Sequence, residues 1–134
     1  MIWTIHFDES SAQISGGSGV VLISPSKENI HLSYKLDFKT TNNVAEYEAL
    51  LLGVKAAKDM GIMCMNIFGE ADLIIQQVNN TFQMKNIILK ACRDEVWKLR
   101  DSFMFFELSY IPQDLNHLAD SLAGHKSFHS SFAP

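Results

Sequence analysis

At 134 residues and 15.1 kDa, with 47% hydrophobic and 19% charged residues, the chain is the size of one domain built around one substantial core. No run approaches the roughly 18 to 20 apolar residues that span a bilayer, and the start MIWTIHFDES has no basic region, apolar stretch or cleavage site, so an unsecreted intracellular protein outside the membrane is expected. A formal charge of −4 and a pI near 5.6 argue against strong unaided binding to nucleic acid, because nonspecific affinity comes mostly from lysine and arginine neutralising phosphates.

In chain order, residues 2–7 (IWTIHF) alternate bulky β-formers and predict a first strand, closed by Asp8. Turn residues fill 10–18, and 19–24 (GVVLIS) predicts a second strand. Ile30, Leu32, Tyr34 and Leu36 alternate with polar neighbours as a third, half-exposed strand, which makes the first three an antiparallel meander. Thr40, Thr41, Asn42 and Asn43 all offer a helix N-cap. The helix predicted over 44–60 has Ala45, Ala49, Leu52 and Ala56 at helical spacing, Glu46 in its first turn and Gly61 as its stop.

Residues 62–68 (IMCMNIF) form a short apolar run expected to pair in parallel with the first strand after a helical crossover, and Glu70 follows its carboxyl end. Leu73, Ile74, Gln77 and Val78 mark a short helix ending at Asn79 and Asn80. A longer amphipathic helix over 87–103 carries Ile88, Ala91, Cys92, Val96 and Leu99. Phe105, Leu108 and Tyr110 lie in a fifth strand ended by Pro112, and Asn116 caps a last helix over 117–125 with Asp120 in its second turn. The expected order is β-β-β-α-β-α-α-β-α, with residues 1–126 as the domain and 127–134 (SFHSSFAP) as a frayed tail. Cys64 and Cys92 stand in no CxxC or Cys/His cluster and are read as reduced structural thiols.

Asp8, Glu46, Glu70 and Asp120 are far apart in sequence, yet each is expected where a strand ends or a helix begins. Carboxylates that converge repel one another and are tolerated chiefly when a hard cation neutralises them, so a magnesium-type site is the first hypothesis. Taken singly, Asp8 and Asp120 are an ordinary turn residue and an ordinary exposed helix residue, and Glu46 is a glutamate favoured by the helix dipole. Their placement inside four recognisable patches reverses that judgement.

The patches are FDESS at 7–11, TTNNVAEYEAL at 40–50, GEADLIIQQVN at 69–79 and YIPQDLNHLADSLA at 110–123. They resemble, in order, the F-D-G-S, T-N-N-x-A-E-Y-x-A-L, G-D-S-x-L-V-x-x-Q-V-N and H-V-P-R-x-x-N-x-x-A-D-x-L-A patterns of type 1 ribonuclease H domains. The resemblance covers nearly the whole chain and is greatest to the domains of plant retroelement (reverse transcriptase) polyproteins and their domesticated relatives. It implies an α/β, ribonuclease H-like fold: a five-stranded mixed sheet, three antiparallel strands then parallel strands, with helices on both faces.

The resemblance also implies endonucleolytic hydrolysis of the RNA strand of RNA–DNA hybrids. Asp8, Glu46, Glu70 and Asp120 would take the metal-binding catalytic positions around two Mg2+ ions, with Mn2+ as a substitute, and Asp8 would bridge the metals. Ser10, Asn42, Asn43 and Asn116 would bind substrate, Lys39, Lys85 and Lys90 would meet phosphates, and the partners would be the hybrid and a reverse transcriptase or polyprotein, the chain itself being a monomer. Three departures bear on activity: Glu70 replaces the second aspartate, Glu9 replaces the glycine after the first, and Tyr110 replaces the histidine before V-P. Asp72 is a lower-ranked substitute ligand. The rival reading is a noncatalytic nucleic-acid-binding or interaction module of the same fold. Trp3, Trp97, Phe103, Phe105 and Phe106 are expected in the core.

Overall fold

In the computed structural model, the described residues are 1–8, 18–34, 41–81 and 83–112, with Asp8, Ser18 and Tyr34 described by their backbone alone. They form β1 (Trp3–Asp8), β2 (Ser18–Ile23), β3 (Asn29–Tyr34), α1 (Asn42–Asp59), β4 (Cys64–Gly69), α2 (Asp72–Asn79), α3 (Ile87–Arg100) and β5 (Phe105–Tyr110). The strands make one five-stranded sheet in the order β3-β2-β1-β4-β5. β1–β2 and β2–β3 pair antiparallel, whereas β1–β4 and β4–β5 pair parallel. The expected meander followed by parallel strands is what the chain adopts. The helix expected at 117–125 and the tail at 127–134 lie outside the described residues.

Alternation along the strands puts Ile5 and Phe7 of β1, Val20 and Leu22 of β2, Met65 and Ile67 of β4, and Leu108 of β5 into one buried layer. The three described helices cover it. α1 lies across β1 and β2, where Gly53 comes so close that a Cβ would stand 3.2 Å from Val20 and 3.3 Å from Ile5. The burial of Ala45, Tyr47, Ala49, Leu50, Leu51, Val54 and Ala57 covers a broad arc of α1, because sheet and α3 flank it on different sides, while Leu52 and Ala56 are only half-buried at the rim. His6 and Val21 are buried on the other face of the sheet, where the His6 ring lies 5.5 Å from that of Phe68.

Local chemistry sets the helix ends. Of the four capping candidates Thr41 is the N-cap, its hydroxyl accepting from the Val44 N–H at 3.2 Å. At the other end Gly61 adopts φ +78°, and paired bonds from Gly61 N–H to the Lys58 carbonyl and from Ile62 N–H to the Ala57 carbonyl close a Schellman turn. That bond removes Ile62 from the strand predicted at 62–68, and β4 begins at Cys64 instead. Glu46 is correspondingly the fifth residue of α1, beyond the first turn predicted for it.

α3 is capped by Asn86, whose side chain accepts from Ile88 and Leu89 N–H groups at 2.9 and 3.0 Å. It stops at Arg100, short of the predicted Phe103, and it is rotated from the predicted stripe: Leu89, Arg93 and Val96 face inward, while Ile88 and Ala91 are exposed. Arg93 is accommodated because its guanidinium lies over the Trp97 ring at 4.2 Å. Trp3, Trp97, Phe103 and Phe106 pack against the core as expected, but Phe105, at the start of an edge strand, is 40% exposed. Cys64 and Cys92 are free thiols. Among the described residues no helix is long and apolar enough to cross a membrane.

Candidate active site

The parallel register of β1 and β4 ends on the pair Phe7 and Gly69, and each of these is followed at once by an acidic residue, Asp8 and Glu70. Two carboxylate-bearing positions 62 residues apart in sequence are therefore neighbours at the carboxyl ends of adjacent strands. The pairing is held by shape as well as by the ladder. A Cβ on Gly69 would overlap the Phe7 ring, so only glycine lets the two strands close to this spacing.

Topology brings Glu46 to the same end of the sheet. β3 runs in the direction of β1, so it delivers the chain to the Asp8 end. α1 must then run back across the sheet for β4 to start beside Trp3, which places Thr41, Asn42, Asn43 and Glu46 at the Asp8 end. Glu46 and Asn43 are half-buried and Asn42 is exposed. Glu70 is half-buried, and its carbonyl accepts from Asp72 N–H at 3.0 Å. Asp72 opens α2 and is exposed, with its carboxylate 3.5 Å from the Gln76 amide along the same helix.

Of the predicted ligands, then, Asp8, Glu46 and Glu70 share one end of the sheet by backbone placement. Asp120 lies outside the described residues, as do Ser10 and Asn116. No three His, Cys, Asp or Glu side chains come together among the described residues, a set that contains the side chains of only Glu46 and Glu70 from the predicted four. Tyr110, which replaces the family's histidine, ends β5 beside Gly69 and is 48% exposed.

The elements that carry the acidic residues are fastened by bonds between distant positions. The Tyr47 hydroxyl donates to Gln77 Oε1 at 2.8 Å, joining the residue after Glu46 to α2. Trp97 Nε1 donates to the Val78 carbonyl at 2.8 Å, and Asn79 Nδ2 donates to the Leu108 carbonyl at 2.9 Å. Burial pushes the Tyr47 hydroxyl well above its ordinary range, so it remains a donor. Gly69, Tyr47, Gln77 and Asn79 lie inside the sequence patches, but each meets a partner from a different patch or, for Asn79, from outside them, and no local signal pairs them. A separate groove of about 390 Å3 between α2 and α3 includes Lys85, Asn86 and Met84 in its wall.

A reverse transcriptase-like family model matches residues 7–126. A ribonuclease HI of Halobacterium salinarum is 29% identical over 85 residues, which are 63% of this chain and 43% of that protein, so the match spans less than half of the relative. The crystal structure of ribonuclease H1 from the same archaeon superposes with a TM-score of 0.78 at 26% identity, covering 94% of this chain and 97% of that one. LC11-RNase H1, solved in complex with an RNA/DNA hybrid, gives a TM-score of 0.74 at 26% identity over 90% of this chain and 92% of that one. The chain belongs to the reverse transcriptase-like family and has the fold of a type 1 ribonuclease H domain.

Proposed function

We propose that the chain is a metal-dependent endonuclease that hydrolyses the RNA strand of RNA–DNA hybrids. The observation that carries the reading is the register pairing Phe7 with Gly69, which sets Asp8 and Glu70 side by side at the end of the sheet where α1 brings Glu46. The likeness to a ribonuclease H1 solved with an RNA/DNA hybrid supports the substrate class. An all-oxygen, all-carboxylate donor set fits Mg2+, with Mn2+ as a substitute, and does not fit a soft metal. Asp8, Glu46, Glu70 and Asp120 would hold two such ions, which when bound activate the attacking water and stabilise the leaving oxygen.

The remaining roles fall to the chain's own groups. Asn42 and Asn43, at the start of α1, present amides to substrate phosphates and sugars, together with Ser10 and Asn116. The 2′-hydroxyl is the feature that separates RNA from DNA at such a site. Lys85, in the wall of the α2–α3 groove, and Lys90 on the following helix supply positive charge to a chain whose net charge is −4. The domain acts as a monomer, on its own or beside a reverse transcriptase in a polyprotein.

Glu9, Glu70, Ala71 and Tyr110 together favour the noncatalytic alternative, Glu70 most directly: it is one methylene longer than the family's aspartate, and a misplaced ligand is costly. Labelled RNA–DNA hybrid, duplex RNA and duplex DNA, each incubated with Mn2+, separate the two readings. Internal cuts in the RNA strand of the hybrid alone are expected. Binding of the hybrid without cuts assigns the chain to the noncatalytic class.

A further inference from the structure

We infer that the buried Tyr47–Gln77 hydrogen bond is a positioning device for the carboxylate site, coupling the helix that carries Glu46 to the helix that follows Glu70. This rests on the reading of that site as a metal-dependent nuclease. α2 is only eight residues long, too short to be stable without tertiary support, and its N-cap, Ala71, offers no side-chain bond. Instead the Gln77 side chain accepts a bond from α1, the Val78 carbonyl accepts one from α3, and the Asn79 side chain donates one to β5. The far end of α2 is thereby fixed on three sides, and the end next to Glu70 is oriented from there.

Of the three bonds, Tyr47–Gln77 alone reaches the element that bears another predicted ligand. Tyr47 is fully buried and Gln77, which borders the α2–α3 groove, is 9% exposed, so the tyrosine hydroxyl has no water as an easy substitute partner. Tyr47 also sits directly after Glu46 on a helix wedged against the sheet. A shift of the tyrosine hydroxyl therefore translates into a shift between Glu46 and Glu70. Neither side chain is proposed to touch the metals or the substrate.

A merely structural bond predicts that activity follows stability, whereas a positioning bond predicts that the two separate. The measurements are melting temperature, Mn2+ half-saturation, kcat and KM on a labelled RNA–DNA hybrid, for wild type, Tyr47→Phe, the double variant Tyr47→Phe with Gln77→Met, and Val96→Ala as a destabilised control. Tyr47→Phe should lower kcat roughly tenfold with little change in KM and raise Mn2+ half-saturation several-fold. The double variant, which no longer buries an unpaired amide oxygen, should regain melting temperature without regaining kcat. Val96→Ala, buried in α3, a helix that carries no predicted ligand, should lose stability alone.

Recovery of kcat together with stability in the double variant, or the same metal shift in Val96→Ala, would overturn the inference. So would unchanged kcat and half-saturation in Tyr47→Phe. A wild type that neither cuts the hybrid nor shows a melting shift with Mn2+ fails the underlying reading, and the inference with it. A wild type that does both isolates the question to the bond.

Discussion

The ring of Phe7 fills the space that a side chain on Gly69 would need, and these two residues are register partners one position before Asp8 and Glu70. The consequence is that the separation of two predicted metal ligands depends on an apolar contact as well as on the backbone ladder between β1 and β4. Gly69→Ala should destabilise the domain by about 1–3 kcal/mol, the range for forcing extra atoms into a packed core. Phe7→Leu introduced together with Gly69→Ala should recover part of that loss. Chemical denaturation of the three proteins tests this, and a Gly69→Ala midpoint equal to wild type would contradict the packing argument.

Metal binding should appear as stability. Repulsion among carboxylates at the Asp8 end of the sheet is relieved by a divalent ion that binds the folded state, so Mn2+ should raise the melting temperature by mass action. At a concentration about 100 times Kd the gain is about 2.7 kcal/mol. Asp8→Asn should lose most of the shift. An equal shift in both proteins would show binding elsewhere.

Glu70 should limit the rate. Glu70→Asp restores the shorter ligand at the end of β4 and should speed hybrid cleavage by about tenfold or more, with wild type working better in Mn2+ than in Mg2+. Asp72 is exposed at the start of α2, and Asp72→Ala should leave cleavage within about twofold. If Asp72→Ala abolishes cleavage while Glu70→Asp changes nothing, Asp72 is the ligand.

Alkaline stability should report on Tyr47 and Cys92. Burial raises the Tyr47 hydroxyl above its ordinary 10.0, and burial, with Glu48 and Glu95 nearby, raises the Cys92 thiol above its ordinary 9.0. Both groups then hold their protons longer in the folded state than in the unfolded one. Their contribution to stability is complete below the unfolded values and is lost as pH rises past 9 and then 10. Urea midpoints measured above pH 10 should fall less steeply in Tyr47→Phe than in wild type; equal slopes would contradict the assignment.

The strand order and the helix order were legible because the periodicities are local, and the four acidic patches were legible because each motif is contiguous. What escaped the sequence was a choice among close neighbours in some places and a contact with a distant partner in others. Thr41 could not be chosen from four adjacent caps, and Ile62 left the predicted strand because its N–H completes the turn at Gly61. The predicted stripe of α3 includes Ile88 and leaves out Arg93, yet Arg93, stacked on Trp97, is the inward residue. The same holds at the site: Glu46 and Glu70 were visible as carboxylates, but the Tyr47–Gln77 and Phe7–Gly69 contacts that place their elements span 30 and 62 positions.

The most direct test of the account is cleavage of an end-labelled RNA–DNA hybrid by the wild-type chain and by Asp8→Asn, in Mg2+, in Mn2+ and with chelator. The account predicts internal cuts in the RNA strand by wild type with either ion, faster with Mn2+, none with chelator and none with Asp8→Asn. Cleavage that survives in Asp8→Asn or in chelator, or no cleavage by wild type even after Glu9→Gly and Glu70→Asp together, would contradict it.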